Sequence, residues 1–200
     1  MKRYYFCAVI FLTFLIFFTG TASSQIANGD FEETITIPET NSYFKRMESK
    51  KWEFEKPLIF PKGWYVNATL SEGVYKIITD KTEAQSGNNC IYLKGAFTHQ
   101  QLIKVTQGDE IEVSVYVKGQ KGNEIRIQCY AYGRKDDNKR TNVGGLNLRA
   151  KAESEWTKQV WNFTIPENIK NKKVHEIKIA LYSPVGAYFD NLTIEHKKVQ

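Results

Sequence analysis

The chain has 200 residues, with 28 Lys and Arg against 22 Asp and Glu, a formal net charge of +6, three cysteines and three histidines. That length suits one domain with one sizeable core. So mild a basic surplus argues against a nucleic-acid partner and says little beyond solubility.

Residues 1–24 read as a signal peptide. Lys2 and Arg3 precede an apolar run from Phe6 to Phe18 interrupted only by Thr13, and small residues come next at Gly20, Ala22, Ser23 and Ser24. The run is well short of the roughly 20 residues a membrane-spanning helix needs. Cys7 lies inside it rather than after the small residues, which argues against a lipid-modified N-terminus. The expectation is a secreted protein, extracellular or periplasmic, with residues 25–200 as one domain. Losing Lys2 and Arg3 lowers the formal charge from +6 to +4.

Strand periodicity dominates residues 25–200, and no segment there has amphipathic helix spacing. The stretch from Glu33 to Phe60 is irregular and reads as a long connection with one extra hairpin at most. Strands are then predicted at Val74–Ile78, Cys90–Lys94, Gln101–Val105, Glu110–Lys118, Glu124–Tyr132, Leu146–Arg149, Thr157–Ile165, Glu176–Tyr182 and Tyr188–Ile194. Turn signals separate several of them: Ser86-Gly-Asn-Asn89, Gln107-Gly-Asp109, Gly119-Gln-Lys-Gly122 and Pro184-Val-Gly186. In Glu110–Lys118, Ile111, Val113, Val115 and Val117 alternate with Glu112, Ser114, Tyr116 and Lys118. Such alternation buries one face and wets the other, the mark of antiparallel sheets. Many short strands with regular turns make an all-β sandwich or barrel.

The same alternation sets Cys129 inward and Cys90 outward. A disulfide needs facing Cβ atoms, so this phasing argues against pairing them, although an exported chain could oxidise them. Asn67, Asn162 and Asn191 each begin an Asn-x-Thr sequon, relevant only in a eukaryotic host. Catalytic signatures are absent: there is no His-Glu-x-x-His, no Gly-x-Ser-x-Gly and no tight carboxylate cluster on one strand. Glu124 and Glu176 share the parity of the wet faces but start their strands, and they read as solvated charges rather than as the carboxylate pair of a glycosidase. The basic loops at Arg134-Lys135, Lys139-Arg140 and Lys170–Lys173 would suit a protein partner or simply solubility.

Several phrases occur in a set order: Asn28-Gly-Asp-Phe-Glu32, Pro61-Lys-Gly-Trp64, Ser86-Gly-Asn-Asn-Cys-Ile-Tyr-Leu93, the strand Gly108–Lys118, Trp156 with Phe163-Thr-Ile-Pro166, and Tyr188-Phe-Asp-Asn-Leu-Thr-Ile194. This order resembles carbohydrate-binding modules of families 4, 9, 16 and 22. The resemblance implies a galactose-binding-like jelly-roll β-sandwich of two antiparallel sheets. It also implies non-catalytic binding of a polysaccharide or oligosaccharide, with no nucleic acid and no membrane span. The alternatives are a secreted structural or adhesive protein with a protein partner and, less favoured, a small glycan hydrolase or lyase.

Two sites are implied. A structural calcium would tie the first strand to the last through Asp30, Glu32 and Asp190, with main-chain carbonyls of the Ser86–Asn89 loop; calcium takes six to eight oxygens of mixed kinds. The concave face of one sheet would hold the glycan. By the resemblance that face comes from the strands at Gln101–Val105, Glu124–Tyr132 and Glu176–Tyr182. Period-two counting then puts Arg126, Gln128, Tyr130, Tyr132, Lys178 and Tyr182 in the groove. Gln101 joins them from its strand, and Trp64 is a candidate for the rim. Tyrosine rings stack on sugar C–H faces while Arg and Gln supply directional hydrogen bonds. Arg126 and Lys178 further point to carboxylate or sulfate groups on the glycan.

Overall fold

In the computed structural model, residues 26–67, 72–134 and 139–198 are described; the leader-like segment lies outside them. The N-terminal part contains β1 (Thr34–Ile37), α1 (Ser42–Ser49), β2 (Trp52–Phe54), β3 (Leu58–Pro61) and β4 (Trp64–Val66). After these come β5 (Gly73–Ile78), β6 (Cys90–His99), β7 (Ile103–Lys104), β8 (Glu110–Gly119), β9 (Glu124–Arg134), β10 (Arg140–Lys151) and β11 (Thr157–Thr164). The chain closes with the short β12 (Asn168–Ile169) and β13 (Lys172–Lys173) and the long β14 (Glu176–Lys197).

The strands form a jelly-roll sandwich whose two layers share β6 and β14. In the front layer, β10 pairs with β9, β9 with Glu176–Tyr182 of β14, and Ala180–Ser183 of β14 with Gly95–Thr98 of β6, which in turn pairs with β4. In the back layer, β11 pairs with β8, β8 with Ala187–Lys197, and Ala187–Phe189 with Ile91–Leu93, beyond which lie β5 and β2. All these pairings are antiparallel except β2 with β5.

The sequence expected a turn at Pro184-Val-Gly186. Instead β14 runs through it, shifting register between Ser183 and Ala187 as it passes from one layer to the other. Opposite this bend, β6 turns at Gly95, with φ +128°, where a Cβ would lie 2.4 Å from the Trp52 ring. Only glycine meets both demands there.

One hydrophobic cluster fills the space between the layers. Ile125, Ile127, Cys129 and Ala131 of β9 point into it, as do Ile111, Val113, Val115 and Val117 of β8 and Ile177, Ile179 and Leu181 of β14. Full burial of each large aliphatic chain favours the fold by roughly 1.5–3 kcal/mol. Cys129 lies in this cluster and Cys90 outside it, and both are buried free thiols. Burial pushes both thiols up to about 12.

The Glu33–Phe60 stretch holds more order than its sequence pattern predicted. β1 and β3 form a separate antiparallel pair, and α1 lies between them in the chain. The Asn41 side chain caps α1 by accepting from Tyr43 N at 2.8 Å, and Phe44 and Met47 are its buried anchors. Two anchors in two turns leave too little periodicity to read. The predicted strand at Gln101–Val105 shrinks to Ile103–Lys104, whereas those at Cys90 and Leu146 extend to ten and twelve residues.

Candidate functional site

The outward face of the front layer is built by period-two alternation on five strands. In register across it, Asn147 of β10 lies beside Gln128, then Ala180, Thr98 and Tyr65. On one side of this row stand Arg149, Arg126, Tyr182 and Ala96; on the other, Gly145, Tyr130 and Lys178. Ala180 and Thr98 are 0% and 4% exposed although they face outward, because taller neighbours stand around them. Two small residues overtopped by tyrosines give this face a low middle, the candidate groove.

Side chains within the groove hold one another. Tyr130 donates its hydroxyl to Gln128 Oε1 at 2.8 Å and shares a hydrogen bond with the Asn67 side chain; burial raises its phenol above the ordinary value. Lys178 Nζ donates to the Tyr65 hydroxyl at 2.8 Å and lies 5.1 Å from that ring's centre. The Arg126 guanidinium lies 5.2 Å from the Tyr182 ring centre and pairs with Glu124, holding that carboxyl below its ordinary range. Such mutual locking fixes rotamers before any ligand arrives, which lowers the entropy cost of binding.

Gly145 has a particular role beside Tyr130. A Cβ there would sit 2.5 Å from the Cys129 carbonyl oxygen, so no side chain can rise at this position. The space left opens a cleft of about 250 Å³ lined by Gln128, Tyr130, Asn142, Gly145 and Asn147 among others. Among the described residues, the flank of Tyr130 is thereby open to a stacking partner.

Six of the eight predicted groove residues lie on this face: Arg126, Gln128, Tyr130, Tyr132, Lys178 and Tyr182. Trp64 does not. It is 1% exposed, stacks on Phe97 at 5.2 Å, meets Phe31 at 5.3 Å and donates its indole N–H to the Asn28 carbonyl at 3.1 Å. It is a core residue because β4 buries both Trp64 and Val66, leaving Tyr65 to face out. Gln101 falls outside the strands and ties down the N-terminal segment, its Oε1 accepting from Ala27 N at 3.3 Å. Sequence reasoning missed Tyr65, Thr98, Asn147 and Arg149. The alternation of Gly145, Asn147 and Arg149 with Leu146, Leu148 and Ala150 was the available signal.

Glu124 and Glu176 are far apart. Glu176 stands opposite Tyr132, eight residues along β9 from Glu124, a separation on the order of 25 Å. Glycosidase carboxylates stand roughly 5–10 Å apart. Each is instead held by arginine: Glu124 by Arg126 and Arg149, Glu176 by Arg140 at 2.7 Å.

The residues expected to hold calcium clasp a loop. Asp190 Oδ2 accepts from Gln85 N and Ser86 N at 2.9 and 3.1 Å, and its Oδ1 from Asn191 N at 2.7 Å. Glu32 Oε1 accepts from Asn88 N and Asn89 N at 2.7 and 2.8 Å. Asp30 accepts only from Glu32 N, at 3.4 Å, among the described residues. Burial pushes the Asp190 carboxyl up to about 6 against the pull of its three N–H donors. Among the described residues no three His, Cys, Asp or Glu side chains gather as a metal-binding group. As placed, the Asp190 and Glu32 carboxylates face N–H donors of the loop.

No known family profile matches the chain, and no curated protein matches it in sequence. Solved structures do match in fold. One is the CBM22-1 xylan-binding domain of Xyn10C from Paenibacillus barcinonensis, 14% identical, covering 70% of this chain and 88% of that one with a TM-score of 0.46. Another is a CBM4 structure, 15% identical, covering 86% and 99% with a TM-score of 0.43. A third is the Stig cyclase Fisc from Fischerella sp. TAU, 12% identical, covering 90% and 100% with a TM-score of 0.50. The carbohydrate-binding modules found belong to the group that the sequence resembles. At such identities the likeness is one of fold. Function therefore has to be argued from the site.

Proposed function

We propose that the front groove binds a polysaccharide or oligosaccharide and does not cleave it. The observation that carries this reading is the floor of Ala180 and Thr98 flanked by Tyr65, Tyr130 and Tyr182, with Gln128 and Asn147 in the same row. Aromatic faces suit the C–H faces of a sugar ring, and amide side chains suit its hydroxyls. The distance between Glu124 and Glu176, and the arginine held by each, supports binding without hydrolysis. The leader at residues 1–24 would export the protein to where such polymers are found.

The test is a panel of soluble polysaccharides, measured for binding and for release of reducing ends. Binding by the native protein, weakened by Tyr130→Ala and without release of sugar, is the expected result. Retention of no glycan at all would favour the protein-partner alternative. New reducing ends, abolished by Glu124→Gln or Glu176→Gln, would make the protein an enzyme.

A further inference from the structure

Cations crowd the groove face. Arg126, Arg149, Lys151, Lys178, Lys104 and Arg140 stand on or beside it against only Glu124 and Glu176 among the described residues. Both carboxylates are already engaged. Glu124 is shared by Arg126 and Arg149, the latter at 3.4 Å, and Glu176 holds Arg140 at 2.7 Å.

Lys178 is placed differently. It is half-buried at the middle of the groove, beside Tyr130 and two residues from Ala180 on the same strand. No carboxylate of the described residues lies within ion-pair distance of it, and its one hydrogen bond among them is to the Tyr65 hydroxyl at 2.8 Å. An ammonium has three donors, so two have no partner among the described residues and face the groove. Partial burial among aromatic rings weakens its hydration and strengthens a charge-assisted bond to an incoming anion. Lysines on the opposite face are satisfied instead: Lys118 meets Glu83 at 2.9 Å and Lys76 meets Glu53 at 3.4 Å.

Resting on the groove reading, we propose that the ligand is an anionic glycan and that Lys178 anchors its carboxylate or sulfate group. Arg126 and Arg149, with one carboxylate between them, leave a further positive charge along the same groove for a polymer carrying repeated anions.

The experiment compares matched pairs of polymers: polygalacturonate with its carboxyl-reduced form, and a sulfated galactan with its desulfated form. Equilibrium binding is measured for the native protein, Lys178→Met, Lys178→Arg, Tyr130→Ala and, as a surface-charge control, Lys118→Met. The native protein should bind the charged member of one pair at least tenfold more tightly than the neutral one. That pair decides between carboxylate and sulfate. Lys178→Met should erase most of the ratio, Lys178→Arg should keep most of it, and Lys118→Met should leave it unchanged.

Equal binding of charged and neutral members overturns the proposal, as does a ratio that survives Lys178→Met, or no binding to any of the four. The groove reading fails separately. If Tyr130→Ala leaves affinity for both members untouched while the ratio persists, the anion is being bound elsewhere.

Discussion

On the outer face of the back layer, Tyr92 and Tyr188 meet edge to face at 5.0 Å, and Lys118 lies 5.4 Å from the Tyr188 ring centre. On the front face, Lys178 lies 5.1 Å from Tyr65, with Tyr130 across the strand pair. The residue types are alike, and the back face has the larger cleft, about 350 Å³ lined by Glu53, Val74, Lys76, Ile78, Tyr92 and Tyr188. What differs is what the charges already have. Back-face lysines face glutamates, and the adjoining surface is covered by the loop of residues 79–89, which takes the Trp156 indole N–H on the Glu83 carbonyl at 3.1 Å. Among the described residues, the groove keeps an ammonium without a carboxylate partner and an uncovered tyrosine flank. Composition alone would not separate a covered surface from a receptive one; the partners of each group do.

The largest effect expected from disturbing this contrast is at the clasp. Asp190→Ala removes the acceptor of three main-chain N–H groups, and charge-assisted bonds of this kind make a loss of roughly 2–4 kcal/mol reasonable. Cys90, buried beneath the same loop with its thiol toward the Glu83 carbonyl, should then react with a thiol reagent about tenfold faster, as for an opening made easier by ~1.4 kcal/mol. Unchanged labelling would mean that the clasp is not what covers the back face.

Next in size is the pairing of tyrosines on the two faces. Tyr130→Ala and Tyr182→Ala should each weaken glycan binding several-fold to about tenfold, since aromatic contact contributes around 1 kcal/mol beyond burial. Tyr92→Ala and Tyr188→Ala should change it by less than about twofold, the scale of a surface position outside the site. The opposite outcome in the same titrations moves the binding site to the back layer.

Two buried groups, His99 in the front layer and Asp190 in the back, give effects of definite and opposite sign. His99 accepts from Gln101 N at its Nδ1 and donates from Nε2 to the Ala27 carbonyl, and burial lowers it from 6.5 to about 4. Unfolding takes up its proton between those values, so His99 contributes stability that is lost as pH falls through that window. Asp190 is raised from 3.8 to about 6, so unfolding releases its proton and its contribution is lost as pH rises. The two slopes oppose each other between about pH 4 and 6. Urea unfolding at successive pH values should show His99→Gln losing stability as pH rises there, and Asp190→Asn losing it as pH falls. Parallel profiles for the two variants would rule this assignment out.

Least of all should calcium matter. Main-chain N–H donors take both oxygens of Asp190 and Oε1 of Glu32, and the Asn88 side-chain amide takes Glu32 Oε2, so melting curves with calcium and with chelator should coincide. A rise of several degrees with calcium would show that the clasp rearranges to admit an ion, by stabilising the folded state through mass action.

Legibility in the sequence depends on how local each signal is. The phasing of β9 was readable because Ile125, Ile127, Cys129 and Ala131 alternate without a break; that parity placed Arg126, Gln128, Tyr130 and Tyr132 on the outward face, and the resemblance made that face the groove. Trp64 and Gln101 were misplaced because their fate depends on partners distant in the chain, Phe31 and Phe97 for one and Ala27 for the other. The clasp was half legible. Asp190, Glu32 and the Ser86–Asn89 loop do meet, but whether a carboxylate faces N–H donors or an ion depends on loop orientation, which no periodicity encodes.

The passage of β14 through both layers has a consequence for how the molecule comes apart. Its amides near Leu181 belong to the ladder under the groove, and those near Phe189 to the ladder under the clasp, with paired strands on both sides at each. Neither layer can melt alone without breaking bonds along a strand that the other still holds. Local opening is therefore confined to edges such as β2 and β10, and exchange of the central amides requires the whole sandwich to unfold as one cooperative unit.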